Sequence, residues 1–296
     1  ETEKIAPSPL ADKATLLREA ESQRRGDVAP DARRERAVVP PPMPSRVDLV
    51  ELFDTSPGDG VPLGLVDDPS TAGVRTRWWE PGNGSLLVFG SRRSGVEQTL
   101  ATILLGIVDR FSALDVRLVV IEDSSTRRRA LNGIDHAIRL VAPDQAGEMI
   151  AALDEIAAEL DRCAATSTTT DHDGPRMVVL IGDLAHLRRR YADQPLGTRI
   201  DEMLTTAAGA GGGIDVIAYA ADLNGAGPFA TVAPSRLVGA SSDHDELLEL
   251  GVEHPSELEG IVGRCRSFPG ADLVQLAIAD ATTETLLARR SNGGHG

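Results

Sequence analysis

The sequence predicts an α/β fold, three layers deep, with a mainly parallel sheet between helices. Three observations carry this. Ser85 to Phe111 reads as strand, glycine-bounded loop and helix: Leu86 to Phe89 are apolar without a break, Gly90 and Gly95 bracket the loop, and Leu100, Ile103, Leu104, Ile107, Val108 and Phe111 recur at helical spacing. The runs Val116–Ile121, Met177–Ile181 and Ile214–Tyr219 have the make-up of strands covered on both faces. Gln145 to Cys163 is an amphipathic helix whose stripe runs through Met149, Ile150, Leu153, Ile156, Ala157 and Leu160.

The other elements follow in order. Residues 1–45 are rich in charge, Ala and Pro, with a helix expected from Ala11 to Arg25 and an extended path at Val38–Pro44. They read as a linker or arm, followed by a folded domain over 46–280 and a tail over 281–296. Val47–Phe53 is a short element and Val61–Pro69 a strand ended by a turn. Trp78 and Trp79 belong to a strand preceding the strand, loop and helix of 85–111, packed in the core or at an edge. Ala137–Val141 is a further strand. Thr166–Gly174 is a polar loop of low complexity, whose His172 lacks a second His or Cys at ligand spacing. Residues 184–208 form a helix broken near Pro195, and Gly209–Gly213 is a turn. Pro234–Gly239 continues the sheet, Asp243–Leu250 is a short acidic helix, and Gly263–Ala279 closes the domain as a hairpin.

Composition narrows the function. A length of 296 residues with 41% hydrophobic residues suits one large domain plus an arm. No apolar run approaches the ~18 residues of a membrane span. No signal peptide is read, and Cys163 and Cys265 are too few for a disulfide framework, so a reducing, cytosolic setting is expected. The first residue, Glu1, suggests a piece of a longer polypeptide. A net charge of −15 and only 3% aromatic residues argue against a grip on nucleic acid, which draws on cations and stacking platforms. Arg127–Arg129 and Arg188–Arg190 read as solvated faces or patches for an acidic partner.

Two stretches point to chemistry. Gly90 and Gly95 stand where a phosphate-binding loop, G-x-x-x-x-G-K-[ST], has its glycines, with Ser91, Arg92, Arg93 and Ser94 between them. The next positions should be a Lys reaching the β- and γ-phosphates and a hydroxyl holding Mg²⁺; they are Val96 and Glu97. Losing that Lys removes a charge-assisted hydrogen bond of roughly 1.5–3 kcal/mol. Backbone N–H groups could still attract an anion and Arg92 and Arg93 could supply charge; a purely structural turn is the plain alternative. The second stretch is Met177–Ile181 with Gly182 and Asp183. Nucleotide hydrolases hold Mg²⁺ with an Asp at the end of such a strand, yet that slot is Gly182, and Asp183 is also what a helix cap would look like. Glu122 and Asp123, at the carboxyl end of another strand, could line the same cleft or form a solvated turn.

Taken together, Val61–Pro69, the loop 90–97, Val178–Leu187, Gly213–Ala218, Pro234–Gly239, Leu248–Val252 and Gly263–Gly270 resemble the FtsK/SpoIIIE family of ATPases over about residues 38 to 279. They are most similar to the tandem ATPase domains of the type VII secretion motor EccC. The resemblance implies a P-loop NTPase (RecA/FtsK-like) fold with a degenerate nucleotide site. Its phosphate loop falls on Gly90 to Glu97, its metal-binding Asp on Gly182, the acidic neighbour on Asp183, and its polar sensor near Ala220 and Ala221. It implies a non-hydrolysing module of a membrane-anchored motor on the cytoplasmic side, serving substrate recognition, assembly or regulation. No firmly held cofactor is expected, at most weak ATP binding without firmly held Mg²⁺. The implied partners are other ATPase domains of the same motor and secreted helical proteins docking by a C-terminal tail, with a ring oligomer as the family's assembly and nucleic acid not expected. An FtsK-like DNA translocase and an ATP-holding structural domain are the alternatives.

Overall fold

The computed structural model describes residues 42–56, 58–68, 73–132, 134–166, 174–209 and 213–278. The chain divides into Glu1–Pro41 and Pro42–Gly296, and everything described lies in the second unit. The expected helix Ala11–Arg25, most of loop Thr166–Gly174 with His172, the centre of turn Gly209–Gly213 and the tail 281–296 lie outside the described residues.

The elements alternate as the apolar runs predict. They are β1 (Val47–Asp48), α1 (Leu49–Thr55), β2 (Val61–Asp68), β3 (Gly73–Trp79), β4 (Leu86–Phe89), α2 (Gln98–Arg110), β5 (Val116–Ile121), α3 (Ser125–Leu131), β6 (Ala137–Val141), α4 (Ala146–Thr166) and β7 (Arg176–Ile181). There follow α5 (Leu184–Tyr191), α6 (Pro195–Gly209), β8 (Ile214–Ala220), α7 (Leu223–Ala226), α8 (Phe229–Val232), β9 (Ser235–Gly239), α9 (His244–Glu249), β10 (Arg264–Phe268) and β11 (Asp272–Ile278). All strands join one sheet in the order β3-β2-β11-β10-β9-β4-β8-β7-β5-β6, with β1 added on β11. From β9 to β6 every pairing is parallel, as crossover helices require. From β3 to β9 every pairing is antiparallel, and β10–β11 is the expected hairpin.

Alternation along each strand makes the three layers. On β4, Leu87 and Phe89 face a core shared with Met149, Leu153 and Ile156 of α4 and with Leu184, Leu187 and Ile200 of α5 and α6. Leu86 and Val88 face the opposite core, with Leu49 and Leu52 of α1 and Ile103, Leu104 and Ile107 of α2. Pro195 opens α6, where its missing N–H is no loss. Trp79 is buried and Trp78 half-buried on β3, the edge strand, so both halves of the expectation for this pair are met.

Two sequence expectations are corrected. Ile150 lies outside the buried stripe of α4 and is 43% exposed, because its neighbours Met149 and Leu153 already define the face turned to the sheet. Arg127 and Arg128 are not a patch for an acidic partner. They belong to α3, capped by Ser124, whose hydroxyl accepts from Arg127 N at 3.2 Å, and both turn inward onto Glu122.

Candidate functional site

The loop after β4 is stitched to both neighbouring strands: the amides of Gly90 and Ser91 donate to Ala220 O (3.2 Å) and Ala240 O (2.8 Å). Arg92–Ser94 then form a single 3₁₀ turn, which Gly95 closes at φ +76°, a conformation glycine adopts without penalty. The turn is held from inside, as Ser94 N donates to Ser91 O at 2.9 Å, Gly95 N to Arg92 O at 3.4 Å and Val96 N to Ser94 Oγ at 3.5 Å. From outside, Gly263 N donates to Ser94 O at 2.6 Å, and a side chain at Gly95 would strike Val262. A phosphate-binding loop works by leaving successive amides free to converge on an anion. Here the amides of Gly90, Ser91, Ser94, Gly95 and Val96 all donate within the protein.

Val96 stands where the loop's Lys would be. It is fully buried, lies against the Gly239 backbone of β9 and belongs to the core shared with α2. Ala220 is fully buried at the end of β8 and Ala221 follows it half-buried, so neither offers a polar side chain to the cleft.

At the end of β7, next to β5 in the sheet, a Cβ on Gly182 would lie 2.6 Å from Glu122 Oε2. The Glu122 carboxylate therefore fills the space a residue-182 side chain would use. It is itself held, accepting from Arg127 Nη1 at 2.7 Å and Ser124 N at 3.0 Å, while Arg128 donates to the Glu122 carbonyl. Glu122 is 9% exposed, so the carboxylate at the end of β5 is a structural member of the cleft and not a solvated turn. Sequence reasoning placed Glu122 at a ligand-binding strand end; its contact with Gly182, sixty positions on, has no local signature.

Asp183 serves two contacts. Its Oδ1 accepts from His186 N at 2.8 Å, capping α5, and its Oδ2 pairs with Arg92 Nη2 at 2.6 Å across the mouth of the cleft. Below lies Tyr219, which the sequence showed only as part of a buried strand: its hydroxyl donates to Gly90 O at 2.9 Å and its ring lies 5.9 Å from the Arg92 guanidinium. Burial works against the charge on Arg92, but the hydrogen bond and charge of Asp183 outweigh it and raise its pKa. Burial, then the charge of Glu97, pushes the Tyr219 phenol up, so it stays a donor. Asp183→Ala is expected to cost about 1 kcal/mol in urea unfolding, mostly through the lost cap. The ion pair adds little, since the Arg92 side chain is 68% exposed.

Glu97 does not cap α2, and its Oε2 is buried without a hydrogen-bond partner among the described residues. Burial raises its pKa, although its own backbone, Arg92 and Arg127 pull the other way. At acid pH both folded and unfolded chains hold this proton and nothing is lost. As pH climbs past the ordinary carboxyl range the unfolded chain releases it first, so folding stability falls until the folded pKa is passed. Glu97→Gln should therefore melt higher than the parent at about pH 7.5, with the difference closing toward about pH 4. A difference independent of pH would contradict this account of Glu97.

The structure thus brings together Gly90, Ser91, Arg92, Ser94, Gly95, Val96, Glu97 and Asp183 around one cleft at the carboxyl ends of β4, β7 and β8. Arg93 lies exposed on the 3₁₀ turn. Among the described residues no group of three or more His, Cys, Asp and Glu could hold a metal ion, and no helix is long and apolar enough to cross a membrane.

A sheet of this order with helices on both faces, and a glycine-bounded loop between β4 and α2, is the fold of a P-loop ATPase. More particularly it is the fold of the ATPase domains 2 and 3 of EssC and EccC. EssC (ATPases 2 and 3) of Geobacillus thermodenitrificans matches 85% of this chain with a TM-score of 0.69 at 17% identity, over 52% of its own length. EccC (ATPases 2 and 3) of Thermomonospora curvata, in complex with a signal sequence peptide, matches 78% with a TM-score of 0.64 at 16% identity, over 46% of its length. The cytoplasmic domain of the Thermomonospora curvata type VII secretion ATPase EccC matches 78% with a TM-score of 0.63 at 16% identity, over 30% of its length. The chain thus spans about half the length of the first two. No family model matches the sequence, and no curated protein matches it.

Proposed function

We propose that this chain is a non-hydrolysing, pseudo-ATPase module of an EccC-like type VII secretion motor, serving substrate recognition, assembly or regulation. The observation that carries the reading is the Glu122 carboxylate, fixed by Arg127 and lying against Gly182, where such an enzyme needs a free Asp to hold Mg²⁺. Three features support it. Five of the loop amides, those of residues 90, 91, 94, 95 and 96, donate inside the protein, the Lys position is a buried valine, and Arg92 is turned to Asp183. These residues do not fit Mg²⁺–ATP as a phosphate loop holds it, so no hydrolytic step is assigned to them.

In this reading the sheet and helices are kept as a docking part. Its partners are the neighbouring ATPase domains of the motor, in a ring if the family's assembly holds, and secreted helical proteins that dock through a C-terminal tail. The Thermomonospora curvata relative carries a signal sequence peptide, which supports that class of partner. The place of work is the cytoplasmic side of a membrane-anchored complex. Nucleic acid is not a partner of so acidic a chain, whose net charge is −15. A phosphate-release assay with ATP and Mg²⁺ tests the proposal: the expected result is background turnover, also in mixture with an active neighbouring ATPase domain. Robust turnover that Glu122→Gln alters would overturn it.

A further inference from the structure

At the end of the sheet opposite the Gly90 loop, a cleft of about 290 Å³ opens among β3, β9 and β10, close to the lower size of ligand pockets. Leu86 and Ser235, the first residues of β4 and β9, lie on its rim, whereas the Gly90 loop follows the last residue of β4. Its walls include Arg77, Trp79, Arg236 and Phe268, with Asn83 and Ser235 as polar neighbours, and among the described residues no carboxylate lines it. In a chain of net charge −15 this is a locally cationic hollow.

Its donors lack acceptors. Trp79 is 4% exposed, and its indole Nε1–H has no hydrogen-bond partner among the described residues. The Arg236 Nε–H is likewise buried and unpartnered, while the guanidinium lies 5.7 Å from the Phe268 ring centroid. No ion pair among the described residues engages Arg77 or Arg236. Buried donors are almost always satisfied in folded proteins, so two of them on residues that line one hollow, beside two arginines and with no described acid there, suit an acceptor. The complement of two guanidinium groups and an indole N–H is an oxyanion.

We propose that this cleft binds a carboxylate or phosphate oxyanion carried on a compact apolar or aromatic body. The oxygens accept from Arg77, Arg236 and Trp79, and the body lies against Phe268. The site is separate from the vestigial nucleotide cleft, and the proposal does not depend on how that cleft is read.

The chain contains two tryptophans, and both line this cleft, so intrinsic fluorescence reports on it directly. Two probes, inorganic phosphate and N-acetylphenylalanine, are titrated at constant ionic strength against sodium chloride. The expected result is a saturable fluorescence change with at least one probe. Saturation by phosphate alone assigns a phosphate ligand, and saturation by the aromatic carboxylate alone assigns an acidic, apolar one. Arg236→Gln and Arg77→Gln should each weaken binding about tenfold, and Trp79→Phe, with Trp78 as reporter, should weaken it severalfold. If Arg236→Gln loosens β9, seen as a fall in melting temperature, Arg77→Gln on the edge strand carries the test. A response that is linear for both probes, or matched by chloride, overturns the proposal. So does undiminished affinity in both arginine variants.

Discussion

Val96→Lys is expected to destabilise the domain by about 3 kcal/mol or more in urea unfolding, and to leave it without ATPase activity. Position 96 is fully buried against Gly239 inside the core that α2 shares with β4 and β9, so a lysine there would force an ammonium group into an apolar core. The substitution recreates the letters of the phosphate loop, G-x-x-x-x-G-K, without its geometry. The Lys of a working loop projects over phosphates that free amides already hold, and here the amides of residues 90, 91, 94, 95 and 96 are engaged elsewhere. A Val96→Lys chain that folds with parental stability and hydrolyses ATP would contradict this description of the loop.

Gly182→Asp should be nearly as damaging, by about 2–4 kcal/mol. Two effects add. A Cβ at 182 would stand 2.6 Å from Glu122 Oε2, so something must move, and Glu122 is tied to Arg127, Arg128 and Ser124. The new carboxylate would also face an existing one in a buried setting, where like charges cannot both ionise without cost. The double variant Gly182→Asp/Glu122→Ala should recover a large part of the loss, which separates crowding at this point from a general intolerance of β7. Equal stability of the single and double variants would remove Glu122 from the account.

Much of the fold was legible because the parallel strands are buried on both faces. Val116–Ile121 was bounded from its apolar run alone, and the strand, loop and helix at 85–111 fell where they were expected. Elements without a local hydrophobic signal escaped. Helix α3 has the sequence STRRRAL, in which Leu131 alone is apolar and large, so its periodicity cannot be read; its cause is the Ser124 cap and the pull of Glu122 on Arg127 and Arg128. The insertion of β11 between β2 and β10 joins segments some two hundred residues apart and leaves no mark in either.

The cleft was legible in part for the same reason. The exceptions to a sequence motif, Val96, Glu97 and Gly182, are visible in the chain because the motif has fixed positions. What replaces the missing groups is not. Glu122 beside Gly182, Arg92 on Asp183 and Tyr219 beneath Gly90 are contacts between separate strands and loops, set by sheet order and not by spacing. Asp183 shows the ambiguity well: acidic residue after a strand and helix cap are one sequence signal, and the structure gives it the cap with His186 N and an ion pair besides.

The most direct measurement is thermal unfolding with ATP, in the presence and absence of Mg²⁺. A ligand bound to the folded state at a hundred times its dissociation constant stabilises by about 2.7 kcal/mol, a shift of several degrees that no working nucleotide site would hide. The account predicts no saturable, Mg²⁺-dependent rise in melting temperature at millimolar ATP. A saturable rise that requires Mg²⁺ and disappears in Arg92→Ala would contradict it.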